Sequence, residues 1–141
     1  MSTSTPAADH AGRRLGLPAH GRGSVAGWGR RFLALLVDWL SSLLVAGFLG
    51  GAGVMTAQDW RAWLPMLVYV AEAGVLTALA GGSFGQLVLR VAVVRADGGP
   101  VGLLRALLRT VLVCLVVPPL LSDSDRRGLH DLATGTVAVT R

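Results

Sequence analysis

The chain has 141 residues, of which 52% are hydrophobic and 15% charged, and its mean hydropathy is +0.60. Soluble domains average about 25% charged residues, so the scarcity of charge argues against an ordinary soluble domain more strongly than the apolar content does. The net charge of +5 rests on 13 basic residues, all arginine. These flank hydrophobic runs instead of forming a patch with interleaved aromatics, which points to anionic lipid headgroups and away from nucleic acid.

Residues 1–27 are rich in Gly, Ala, Ser and Pro, lack periodicity, and read as a disordered cytoplasmic N-terminal arm. The hydrophobic run that follows starts too late and is too long for a signal-peptide core. Arg13, Arg14, Arg22, Arg30 and Arg31 precede or open that run, so the positive-inside rule predicts a cytoplasmic N-terminus.

The first membrane helix is predicted over about residues 30–51, with Trp28 as its inner aromatic anchor. After Asp38 no charge appears until Asp59, a run of 20 residues that matches the length needed to cross a bilayer. Asp38 therefore lies inside the helix, about two turns from its basic end. A carboxylate there costs on the order of 2.5–3.5 kcal/mol on insertion scales and needs a partner. Ala46-x3-Gly50 and Gly47-x3-Gly51 are small-residue pairs of the kind that let helices approach closely. Residues 52–61 then form a short external turn, with Trp60 and Trp63 as an outer aromatic belt.

The second membrane helix is predicted over about residues 62–80 and is uncharged except for Glu72. If the first helix runs outward and the second returns, Glu72 and Asp38 lie at similar depths, roughly 10–14 Å from the inner ends of their helices. Gly81 to Pro100 is a glycine-rich linker with a β-rich centre, expected as an interfacial extended or short helical element on the cytoplasmic face. It holds no phosphate-loop or dinucleotide fingerprint.

A third hydrophobic segment, Val101–Leu121, carries Arg105 and Arg109 on one helical face. Pro118-Pro119 should end its helix near Val117. A helix over residues 103–117 is about 22 Å long, short for a crossing, and predicts either a crossing or a re-entrant helix with a cytoplasmic tail. Cys114 is the only cysteine, which rules out an intramolecular disulfide and a multi-cysteine zinc site.

Several motifs now fall in one series. They are Arg31-x2-Ala34-x3-Asp38, Gly85-Gln86, Leu89-Arg90-Val91-x-Val93-Val94-x2-Asp97-Gly98, Arg105-Ala106-Leu107-Leu108-Arg109, and Arg126-Arg127-Gly128-Leu129-His130-Asp131-Leu132-Ala133-x-Gly135-Thr136. Together they resemble the RDD family of small integral membrane proteins over about residues 27 to 140. The family is named for one arginine and two aspartates, which carry over onto Arg31, Asp38 and Asp131. Gln86 stands where many relatives have lysine, and the second helix is short. The resemblance implies a membrane fold and, among suspected activities, transport.

The expected fold is thus an all-α membrane protein with two transmembrane helices, a third shorter hydrophobic helix and an interfacial linker, all within residues 28–141. Two readings of its charges stay open. In one, Asp38 pairs with Arg105 or Arg109 and the charges only hold helices together, as in a scaffold or accessory subunit. In the other, Asp38 and Glu72 form a carboxylate site for a cation or proton in small-solute or cation transport. Two or three helices enclose no pathway, so transport would need a homo-oligomer or a larger membrane partner. His130-Asp131 reads as a helix cap or docking point for the tail. No enzyme activity, cofactor or metal is expected, and the location expected is the plasma membrane.

Overall fold

A computed structural model of the chain describes residues 9–115 and 125–141. The longest helix, α1, spans Trp28–Gly50, and Gly51 ends it at a positive φ (79°). Its buried positions are Ala34, Asp38, Ser42 and Ala46, one per turn. The large apolar side chains point the other way: Leu44 is 75% and Phe48 91% exposed. Small and polar inside with bulky and apolar outside is the reverse of a soluble helix, and it suits a segment surrounded by hydrocarbon.

Short 3-10 turns at Ala52–Thr56 and Trp60–Trp63 lead into α2, Leu64–Ala80. The sequence boundaries of 30–51 and 62–80 agree with the two helices to within two residues. The stretches Trp28–Gly50 and Trp60–Ala80 are both long and apolar enough to cross a membrane. α2 buries Pro65, Tyr69, Ala73 and Thr77, again a four-residue spacing. Tyr69 stacks on Trp39 of α1 with ring centroids 5.5 Å apart. Of the two small-residue pairs in α1, Ala46 and Gly50 pack inside the chain: a Cβ on Gly50 would come 2.8 Å from Leu64. A Cβ on Gly47 would meet nothing.

The linker holds a five-residue helix, α3 (Phe84–Val88), and a strand, β1 (Val91–Arg95). Next comes α4, Leu103–Cys114, 12 residues and about 18 Å long. It packs along α2, where Gly74 leaves room for Leu107. The helix end expected at Val117 lies outside the described residues. The short α5 (Leu129–Thr134) and the strand β2 (Thr136–Thr140) complete the chain.

Two expectations need correction. The fold is mostly helical but not all-α, because β1 and β2 form an antiparallel pair with Val93 opposite Ala138. The N-terminal arm, from Asp9 onward, is also placed against this sheet. Gly23 N–H donates to Thr140 O (2.7 Å), Thr140 N–H to Ser24 O (2.9 Å) and Ala26 N–H to Ala138 O (2.9 Å). β2 is therefore the middle of three extended segments. Ala11, Leu15, Leu17 and Val25 cover one side of it, over Ala92, Val137 and Val139. These apolar residues are too few and too irregularly spaced to give a period, which is why the arm reads as structureless by composition. Residues 1–8 of the arm lie outside the described residues.

Candidate functional site

Two carboxylates from the long helices meet at the start of α3. Ser83 is its N-cap, and its hydroxyl accepts from Gln86 N–H (3.4 Å) while Gln86 Oε1 accepts from Ser83 N–H (3.0 Å), a reciprocal capping box. The same hydroxyl donates to Asp38 Oδ2 (2.6 Å), and Gly85 N–H donates to Asp38 Oδ1 (2.6 Å). Glu72 Oε1 accepts from Phe84 N–H (2.9 Å). Asp38 and Glu72 thus bind successive peptide groups of one turn, satisfying donors that a helix start leaves orphaned. Their equal depth, expected from helix arithmetic, is what lets both reach it.

Gly85 makes this contact sterically achievable. A Cβ there would collide with Ala34 O and lie 2.8 Å from Ala34 C and 3.0 Å from Asp38 Cγ. The Ala34-x3-Asp38 spacing on α1 therefore presents a small residue and a carboxylate, one turn apart, to a glycine and its N–H.

A second centre forms around Asp131, which is fully buried. Its Oδ1 accepts from Arg109 Nε (2.9 Å) and from the Thr136 hydroxyl (3.1 Å). Its Oδ2 lies 3.5 Å from Arg31 Nη1 and 3.5 Å from His130 Nε2. Burial alone would push this carboxyl up, but the charges of Arg109, His130 and Arg31 outweigh it and hold Asp131 below the usual carboxylate range. Arg31 also donates to Arg126 O (2.8 Å) and Ala138 O (3.4 Å). Arg126 stands in the left-handed region (φ 58°), an uncommon place for a residue with a side chain. Arg105 donates to Thr134 O at the end of α5 (2.8 Å). α1, α4, α5 and β2 are joined in this way through one acid and three arginines.

The expected pairing of Asp38 with Arg105 or Arg109 is therefore replaced. Arg109 turns to Asp131, 22 positions along the chain, and Asp38 is satisfied by a hydroxyl and a peptide N–H. Asp38 and Glu72 come together at the start of α3. Among the described residues no three His, Cys, Asp or Glu gather to hold a metal. Between the two centres lies a cavity of about 250 Å3, on whose wall are Arg31, Asp38, Tyr69, Arg109 and His130. Sequence reasoning did not pick out Gly85 N–H, Thr136 or the Arg126 carbonyl as partners. Only Ser83 carried a local signal, since Ser-x-x-Gln is a capping-box pattern.

The model of the RDD family matches residues 25–135. The chain belongs to the RDD family. No curated protein and no solved structure matches it. RDD membership together with the two long apolar helices makes this an integral membrane protein. In this RDD protein the arginine and two aspartates assigned by resemblance converge: Arg31 lies against Asp131, and Asp38 shares the cavity wall with Arg31.

Proposed function

We propose that this RDD protein is a non-catalytic membrane scaffold or accessory subunit whose buried charges hold its helices in register. The observation that carries this reading is that each charged candidate residue is engaged with another element of the same chain. Asp38 and Glu72 hold α3, Asp131 pairs with both Arg31 and Arg109, and Arg105 caps α5. Transport would need a homo-oligomer or a larger membrane partner, since two or three helices enclose no pathway, whereas a scaffold needs none.

The sheet supports a single cytoplasmic face in the plasma membrane. It joins the arm before α1, the linker after α2 and the strand after α5, and nine of the 13 arginines fall in those regions or at the helix ends next to them, against Arg61 alone in the turn between α1 and α2. On this reading α4 leaves the sheet side and the chain returns to it, so that segment is re-entrant and the protein spans the membrane twice.

One observation favours a second reading, small-solute or cation transport: Asp38 and Arg109 line a cavity large enough for a small molecule. The discriminating experiment is ion-driven proton flux in proteoliposomes, comparing wild type with Asp38→Asn after equal insertion and assembly are verified. The scaffold reading expects no flux from well-assembled wild type across a panel of monovalent cations and organic solutes. Flux that disappears in Asp38→Asn would overturn it in favour of transport.

A further inference from the structure

The cavity beside the two charge centres has a shape that the ion pairs do not use. Its wall follows one face of α1 from Trp28 through Phe32 and Leu35 to Asp38, with Val113 of α4 also lining it. At 1.5 Å per residue this wall is about 15 Å long, half of a hydrocarbon core about 30 Å thick. The polar groups in its wall are already committed, Asp38 to Ser83 and Gly85 and Arg109 to Asp131. An occupant therefore meets chiefly hydrocarbon and aromatic surface along its length.

The Trp28 end differs in charge. The Arg31 guanidinium lies 5.7 Å from the Trp28 ring, and its Nε is buried without a hydrogen-bond acceptor. Arg30 and Arg126 are exposed, the one next to Arg31 in the chain and the other bound to it through its carbonyl. Tryptophan and arginine at the base of a membrane helix sit at headgroup level. An apolar groove half a bilayer long, with a cationic mouth at that level, matches a molecule with an anionic head and a hydrocarbon tail.

We propose that this groove holds one acyl chain of an anionic phospholipid from the leaflet beside the arginine-rich face, with the phosphate at the Trp28 end near Arg31 and Arg126. The bound lipid would set a phosphate acceptor beside the exposed arginines and fill the groove with hydrocarbon. The inference rests on the membrane assignment and is independent of the choice between scaffold and transporter.

The test uses the full chain in nanodiscs containing equal phosphatidylglycerol and phosphatidylcholine, released into native mass spectrometry. One phosphatidylglycerol per chain should be retained in roughly fivefold excess over phosphatidylcholine, the scale set by one arginine near an anionic surface. Leu35→Trp fills the groove from α1 and Val113→Trp fills it from α4, and each should remove the retained lipid. Arg126→Gln should bring the ratio of the two lipids toward one. Equal retention of both lipids by wild type would overturn the proposal, as would retention unchanged in a folded groove-filling variant. So would a lipid-free dimer lost in those variants, which would give the groove to a second copy of the chain.

Discussion

At the scale of single residues, Asp131 carries the most opposed charge. Removing it leaves Arg31 and Arg109 buried without a counter-charge, and breaking a buried pair from one side costs about 3–5 kcal/mol. Asp131→Ala should lower unfolding stability in detergent micelles by that amount, whereas Asp59→Ala, whose Arg61 partner is surface-exposed, should change it far less. The pH dependence has a definite sign. Because the folded state holds Asp131 below its ordinary value of 3.8, the unfolded chain takes up this proton more readily. Its contribution is complete above that value and is lost as pH falls through the lower folded one. The stability difference between wild type and Asp131→Asn should accordingly shrink as pH falls below about 4. The motifs single out Arg31, Asp38 and Asp131. Their partners were not legible, because side-chain reach within one helix says nothing of a tail that folds back from residues 125–141.

At the scale of elements, α3 is a small part held by large ones. Gly85→Ala places a methyl group against the α1 backbone at Ala34, so α3 must withdraw and both bonds to Asp38 must lengthen. Overpacking of this kind costs about 1–3 kcal/mol, to which the lost hydrogen bonds add. Thermal unfolding in micelles should show a larger loss for Gly85→Ala than for Gly47→Ala, where the added carbon meets open space. The sheet allows a second comparison. Ala138 lies in its middle strand, opposite Val93 and bound to Ala26. Thr140→Pro removes the N–H that the same strand donates to Ser24 O, and hydrogen exchange should speed by roughly tenfold or more at residues 24–26 and 91–95 together. The alternation Thr136-Val137-Ala138-Val139-Thr140 is visible in the sequence. What it pairs with is not, since a partner more than forty positions away leaves no local trace.

For the whole molecule, the two long apolar helices were legible to within two residues, because charge is scarce along them. The third helix was legible in existence but not in course. A topology with one cytoplasmic face predicts that, in a Cys114→Ala background, His20→Cys, Gly98→Cys and Arg141→Cys are labelled from the same side by a membrane-impermeant maleimide. Gln58→Cys should be labelled only from the other side. Labelling of Arg141→Cys and Gly98→Cys from opposite sides would mean that the third segment crosses. The position of β2 between the arm and β1 also orders events in time. The segment at the centre of the sheet leaves the ribosome after every other described element, so both flanking segments must wait for it. The long helices can enter the bilayer during synthesis, but the sheet that closes their bases, and the buried site of Asp131 beside it, form only once translation has passed Thr140.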